Sequence, residues 1–267
     1  MKIFDGREHA KLLDKRIKAY LEQNPAEGAL GIVQVGDDFG SEKYIEIKKK
    51  YCKSLGISTK VLKIDQNLSD KIIYGMVKEF IDDVNIKGVI IQLPLPRKSL
   101  NKILNLIPIE KDVDLLTSQS MTKFYADDFT KLSPVIRAFK YFLQKNSINL
   151  ENKKCIILGK GVLVGKPIGK YVEHLKARTD ILSKYSAGTP LNCHLLVLGA
   201  GVSNLVMGED IIPECNVVDF GYSVIDGRCV GDLCLDSKLN HLGVISSSPG
   251  GLGPLVVRFL IMNFLNI

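Results

Sequence analysis

Tyr44 and Lys48, four residues apart, are the pair in this chain best suited to moving a proton. At that spacing two side chains share one face of a helix, a single turn from each other. A lysine held beside a phenol and partly withdrawn from water has its pKa lowered, so it can give or take a proton at a reacting centre. The bland alternative is a solvated helix face, since Lys43, Lys49, Lys50 and Lys53 crowd the same segment, and taken alone the pair favours that reading. Two further polar residues join it. Gln92 stands at the end of the apolar run KGVIIQL, before Leu93 and Pro94, and Asp114 closes the segment KDVD. An amide at a strand end is equally often a turn former.

A second group of residues suits an anion. Gly159, Gly161 and Gly165 form GxGxxxG between the apolar run Cys155–Leu158 and a helical pattern. Glycines there let the backbone approach a pyrophosphate at a helix N-terminus. The spacing is one residue longer than the usual dinucleotide fingerprint. It is not a phosphate-binding Walker loop either, because Lys166 is followed by Pro167. A plain tight strand–helix turn remains the alternative. A following strand, Asp180–Ser183, runs into Lys184 with no acidic residue to hold a ribose diol. Lys160 and Lys184 would accept an adenosine 2′-phosphate, which favours NADP while leaving NAD open. Gly201 and Tyr222, after later strands, are grouped with Ser183 as further cofactor contacts.

These residues need elements to hold them. Apolar positions at helical spacing fill residues 5–24, and Asn24-Pro25 closes that helix. Leu30–Val35 reads as a buried strand, with Ser41 as N-cap of the Tyr44 helix and Gly56 at its end. Strand Ser58–Ile64, a helix opening at Ser69 and strand Lys87–Leu93 follow, then a short helix, Leu100–Leu106. Strands alternating with helices argue for a parallel sheet, whose ligands lie beyond the carboxyl ends of the strands. Lysine, amide and carboxylate are thus delivered to one rim by three separate loops. After a polar stretch, Thr117–Thr130, Ser133-Pro134 opens a helix to Lys145. Strands Cys155–Leu158, Asp180–Ser183, His194–Leu198 and Asn216–Phe220 come next. The loop SSSPGGLGP (Ser246–Pro254) then precedes an apolar helix, Leu255–Leu265. The expected fold class is α/β in two domains. Residues 1–120 form a parallel-sheet catalytic domain and 121–267 a Rossmann-like nucleotide domain, whose terminal helix packs back on the first.

At 267 residues, 46% apolar and 24% charged, the chain has the composition of a globular protein with room for two such domains. No run of 18 apolar residues exists, and MKIFDGREHAKLL lacks the apolar core of a signal peptide, so a cytoplasmic protein with no membrane partner is expected. Six scattered cysteines without a CxxC pair argue for neither a disulfide framework nor a zinc site. The +7 net charge suits an anionic ligand such as a nucleotide or polycarboxylate. Without an arginine-rich arm, nucleic acid is not expected.

Collinear motifs over nearly the whole length resemble the bifunctional methylenetetrahydrofolate dehydrogenase/methenyltetrahydrofolate cyclohydrolase (FolD) family. They are Tyr44-Ile-Glu-Ile-Lys48 with Lys50, Cys52 and Gly56; Gly88–Pro94; Lys111–Asp114; Val164–Pro167; Val218–Gly221; Val230–Asp232; and Pro249–Pro254. The resemblance implies Lys48 as the general acid/base of the cyclohydrolase step, oriented by Tyr44 and Gln92, and Asp114 as the anchor of the pterin end. It implies folate contacts at Tyr44, Lys48, Ile91, Gln92, Leu93, Pro94, Asp114, Pro249, Gly250, Gly251, Leu252 and Gly253. It also implies NADP against Gly159, Lys160, Gly161 and Gly165, and a homodimer.

Departures concentrate in the second half. The family's glycine after KDVD is Leu115, its Gly-Arg-Ser loop is Gly159-Lys160-Gly161, and its Thr-Pro-Val-Pro turn is Ser246-Ser-Ser-Pro249. The lysine keeps a charge but not the bidentate geometry of a guanidinium. Three other readings stay open: a cyclohydrolase whose dehydrogenase is lost, a two-domain dehydrogenase of another family, and a non-catalytic folate- or nucleotide-binding protein. Short-chain dehydrogenases also use Tyr-xxx-Lys, but there the pair follows the nucleotide loop, whereas here it precedes it.

Overall fold

A computed structural model describes residues 1–225 and 227–267. The elements in chain order are β1 (Lys2–Ile3), α1 (Gly6–Gln23), β2 (Ala29–Val35), α2 (Phe39–Ser54), β3 (Ser58–Ile64), α3 (Asp70–Asp82), β4 (Ile86–Ile91), α4 (Ser118–Tyr125), α5 (Pro134–Lys145), β5 (Lys154–Leu158), α6 (Gly165–His174), β6 (Arg178–Leu182), β7 (Leu195–Leu198), β8 (Asn216–Asp219), β9 (Ser223–Ile225), β10 (Arg228–Val230), β11 (Val244–Ser246) and α7 (Gly253–Phe264). The chain divides into two compact units, Asp14–Ser133 with Phe259–Ile267, and Met1–Leu13 with Pro134–Arg258. A single cut at residue 120 groups the two ends of the chain differently.

The unit of Asp14–Ser133 is built on a parallel sheet in the order β3-β2-β4. Central β2 is buried at every position, which is why ALGIVQV has no polar alternation. β3 has a neighbour on one side only, and most of its residues remain open to solvent. Ile73, Val77 and Ile81, on one stripe of α3, close over Val33, Val35, Val89 and Ile91 to form the apolar core. The α2 helix begins earlier than its apolar pattern suggests. Its cap is Asp38, whose carboxylate accepts the Ser41 N–H at 2.7 Å, so Ser41 lies inside the helix. At the far end Gly56 takes φ +71°, a conformation cheap only for glycine. Leu100–Leu106 falls within a 3₁₀ segment, Lys98–Leu106. The polar stretch Thr117–Thr130 contains a short helix, α4, capped by the Thr117 hydroxyl; its few apolar residues gave no periodic signal.

The second unit carries a parallel sheet in the order β1-β11-β8-β7-β5-β6, with an antiparallel hairpin β9–β10 beside it. β1 pairs with β11 through Lys2–Val244 and Ile3–Ile245, segments too short to show a period in sequence. Chain order reverses at β5. β6 lies on one side of it and β7 on the other, so the crevice beyond the carboxyl ends of β5 and β7 is the switch point where ligands bind in such sheets.

Candidate active site

On α2 the buried residues are Ser41, Ile45, Lys48, Tyr51 and Cys52, a stripe at helical spacing. Lys48 therefore occupies a core position and is only 3% exposed, whereas Lys43, Lys50 and Lys53 lie on the solvated face. Its ammonium Nζ donates to Gln92 Oε1 at 2.9 Å and sits 4.7 Å from the centre of the Tyr44 ring. The Gln92 amide is turned to accept, because its own Nε2 donates to the Leu93 carbonyl at 2.8 Å. Ser41 Oγ donates to the same carbonyl at 3.4 Å, tying the start of α2 to the loop after β4. The Gln92 backbone N–H bonds Val33 O, so the amide hangs from the last rung of the ladder.

Burial lowers the Lys48 pKa, opposed by Asp114 and then Cys52. Burial raises that of Asp114, with Lys48 opposing and Asp112 adding to the rise. Tyr44 is raised by burial and then by Asp114, so its phenol stays protonated. A cation and a carboxylic acid are thus both pressed toward neutrality, the condition under which a lysine can exchange a proton near neutral pH.

The KDVD segment divides its labour. Lys111 Nζ donates to Ile81 O at the end of α3, at 2.7 Å. Asp112 accepts from the Leu116 and Thr117 N–H groups and the Ser120 hydroxyl, which folds the loop and starts α4. Val113 is buried, and its carbonyl accepts from Asn263 Nδ2 of the terminal helix. Asp114 is left to interact with Lys48. The following Leu115 adopts φ 56°, the left-handed conformation that a glycine would take without steric cost. Ile91 belongs to the apolar core; Leu93 is half-buried and Pro94 exposed.

In the other unit, Gly159–Gly161, Ser183–Lys184, Gly201 and Tyr222 follow β5, β6, β7 and β8, all on the same edge of a parallel sheet. Gly159 has φ +109°, and a Cβ there would run into the Gly199 carbonyl; one at Gly165 would strike Gly159 O. The start of α6 is therefore pressed onto the end of β5. A Cβ at Gly161 or Gly201, by contrast, would meet none of the described residues beyond its chain neighbours within 4 Å. Val164, the N-cap of α6, makes no side-chain capping hydrogen bond among the described residues. Lys160, Ser183 and Lys184 are exposed. A close turn, an open glycine backbone, an uncapped helix start and two cations fit a pyrophosphate-bearing nucleotide. In the loop before α7, Pro249 and Gly253 are exposed. Gly251 and Leu252 are packed inward, Gly251 against Ser246 Oγ, and the Gly250 carbonyl receives the Gly6 N–H at 3.0 Å.

Two buried carboxylates in this unit, Asp219 and Asp232, received no role from sequence although both lie in the quoted motifs. The signal available was an acidic residue inside an otherwise apolar run, as in NVVDFG.

Comparison with known proteins matches two stretches of the chain to two family descriptions. A family described as "Tetrahydrofolate dehydrogenase/cyclohydrolase, catalytic domain" matches residues 4–114, and one described as "Tetrahydrofolate dehydrogenase/cyclohydrolase, NAD(P)-binding domain" matches residues 135–267. The chain is 33% identical over 284 residues to the bifunctional protein FolD of Mycoplasmopsis synoviae, covering 100% of this chain and 99% of that protein. In fold it is similar to the FolD methylenetetrahydrofolate dehydrogenase/cyclohydrolase of Campylobacter jejuni (TM-score 0.88, 24% identity, 100% of this chain and 98% of the other). It is similarly alike in fold to the FolD of Trypanosoma brucei complexed with NADP cofactor and inhibitor (TM-score 0.87, 23% identity, 98% and 95% covered).

Proposed function

Because the chain belongs to the tetrahydrofolate dehydrogenase/cyclohydrolase family, we propose that it oxidises methylenetetrahydrofolate to methenyltetrahydrofolate with NADP and hydrolyses that product to formyltetrahydrofolate. The observation that carries this is Lys48, a buried ammonium on a phenol ring, its hydrogen-bond acceptor among the described residues being Gln92. A structural lysine in a core needs a carboxylate or several carbonyls to offset its desolvation. Lys48 instead hydrogen-bonds a neutral amide. Asp114 acts on it only through space and is itself pressed toward its acid form, so burial favours the free amine.

The methenyl product of the first step is a cation. Water adding to it must lose a proton, and opening the ring returns one to nitrogen. Lys48 as free amine takes the water proton and as ammonium gives it to the ring nitrogen as the C–N bond breaks, while the carbinol hydroxyl proton leaves to solvent as the formyl C=O forms. A cationic substrate alongside pushes the lysine pKa further down and keeps the amine form populated. Gln92 holds Nζ in register for both transfers, and the Tyr44 ring steadies the ammonium when it forms. Asp114 binds the pterin end, and its acid form can donate as well as accept there. We assign folate contact also to Leu93, Pro94 and Pro249–Gly253.

The nucleotide, when bound, supplies the hydride acceptor. Gly159, Gly161 and Gly165 hold its pyrophosphate, while Lys160 and Lys184 favour a 2′-phosphate and hence NADP, the cofactor named for the Trypanosoma brucei structure. Ser183, Gly201 and Tyr222 complete its surroundings. The catalytic half is taken as residues 1–120 and the nucleotide half as 121–267, acting as a cytoplasmic homodimer. No helix among the described residues is long and apolar enough to cross a membrane.

The test is a spectrophotometric assay of the purified protein with methylenetetrahydrofolate and either NADP⁺ or NAD⁺. Reduced nucleotide forming faster with NADP⁺ supports the proposal. Methenyltetrahydrofolate hydrolysis without nucleotide reduction would leave a cyclohydrolase, the reading favoured by Lys160 standing where the family has arginine. Absence of both reactions would leave a binding protein.

A further inference from the structure

Asp232 is fully buried, and its carboxylate receives three consecutive backbone N–H groups. Ala200 N donates to Oδ2 at 2.7 Å, Gly201 N to Oδ2 at 3.1 Å and Val202 N to Oδ1 at 2.9 Å. Those three residues are the loop leaving β7. That loop forms one wall of the switch-point crevice, and the Gly159–Val164 loop leaving β5 forms the other. The two walls touch, since a Cβ on Gly159 would meet the Gly199 carbonyl and lie 3.0 Å from Ala200 N.

Asp232 is itself fixed from behind. Its N–H donates to Asp219 Oδ1 at 3.3 Å, and its carbonyl accepts from Val206 N at 3.0 Å. Asp219 accepts in addition from Gly221 N at 2.7 Å and Leu233 N at 3.0 Å. Each carboxylate lies against a glycine that must remain one: a Cβ on Gly221 would overlap Asp232 Oδ1, and one on Gly231 would overlap Asp219 Oδ2. The fourth tie on the loop is the Ser223 hydroxyl, which donates to Gly201 O at 3.0 Å.

We infer that Asp232 is the positioning residue of the nucleotide half, aiming the Ala200–Val202 amides inward so that this wall presents bare backbone at Gly201 and the other wall takes the phosphates. An acceptor with three N–H donors in a row acts on the loop as a bound anion acts on a nest of amides, and it holds one loop conformation. The amides it consumes are withdrawn from the ligand. Phosphate recognition is left to Gly159–Gly165 and the start of α6, and the β7 loop gives shape rather than charge. Asp232 touches neither substrate nor nucleotide in this role. Asp219, one step further back, fixes the segment that carries it.

The inference rests on the chain binding a nucleotide, so the test begins with wild-type protein and NADP⁺ or NAD⁺ in titration calorimetry. Binding of neither would overturn the nucleotide reading itself, a result no variant can produce. Where wild-type protein binds NADP⁺, Asp232→Asn is measured beside it. One arm of an asparagine is a donor, so whichever way it turns, at least one of the three N–H groups loses its acceptor. The expected result is a rise of about tenfold in the NADP⁺ dissociation constant, because a loop freed from its acceptor must be ordered again on binding, at a cost on the order of one hydrogen bond. KM for NADP⁺ should rise alike, while kcat at saturating nucleotide changes less than twofold. A folded variant that binds NADP⁺ within twofold of wild type overturns the inference, as does one that loses kcat with binding intact. Should Asp232→Asn not fold, Ser223→Ala decides: a rise of about threefold or more supports the fixed loop, and an unchanged dissociation constant overturns it.

Discussion

Replacing Lys48 with methionine separates a catalytic lysine from a structural one. Methionine fills a similar volume and removes the amine. Lost with it are the 2.9 Å hydrogen bond to Gln92 Oε1 and the contact 4.7 Å above the Tyr44 ring. A positioned acid/base contributes about 10²–10⁴-fold to a rate, so hydrolysis of methenyltetrahydrofolate should fall by that factor. Stability moves differently. The unpaired Gln92 carbonyl costs about 1–3 kcal/mol, while relief from burying an ammonium returns a comparable amount. The thermal midpoint should therefore stay within about 5 °C of wild type. The pH profile adds a third observable. Burial holds the Lys48 pKa below that of a free lysine, so wild-type hydrolysis should rise with pH through that lowered value and level off above it. In Lys48→Met the levelling-off disappears, leaving only a slow hydroxide-driven background that keeps climbing with pH. The assay is loss of methenyl absorbance in rapid-mixing experiments from pH 6 to 9. Activity within tenfold of wild type, with the levelling-off intact, would refute the assignment of the proton transfers to Lys48.

Three further outcomes follow from the geometry. Burial pushes the Asp219 carboxyl up to about 7, above the ordinary carboxylate value, so its stabilising contribution is complete below about pH 4 and is lost as pH rises through 7. Urea unfolding at pH 5 and pH 8 should show a fall of roughly 3 kcal/mol that Asp219→Asn lacks; an equal fall in the variant would count against it. Gly165→Ala drives a methyl group into the Gly159 carbonyl and should weaken NADP⁺ binding by about tenfold or more, read by calorimetry, with the Lys48 site untouched. Lys184→Ala and Lys160→Ala should each raise KM for NADP⁺ about tenfold while leaving KM for NAD⁺ within twofold, because only NADP⁺ carries the 2′-phosphate.

The amino-acid order alone determined the alternation of strands and helices. Uniform apolar runs such as ALGIVQV and KGVII can be satisfied only between covering layers, and turn residues set where each run ends. It also placed the chemistry on one rim, because parallel strands send all their carboxyl ends the same way. The spacing of Tyr44, Lys48 and Cys52 put them on one helix face, but spacing cannot say which face is buried. That depended on Ile45 and Ser41 joining the stripe and on β4 bringing Gln92 against it. The two-residue β1 and three-residue β11 were illegible for a related reason: β1 exists through its pairing with β11, β11 through its pairing with β1 and β8, and neither is long enough to show a period. Sequence likewise displayed Asp219 and Asp232 without explaining them. Their partners are backbone amides from a loop some thirty residues earlier in the chain and from each other's segments, and a backbone amide has no signature in a sequence. What only the tertiary structure decided is therefore burial: which lysine loses its water, and which carboxylates trade theirs for amides.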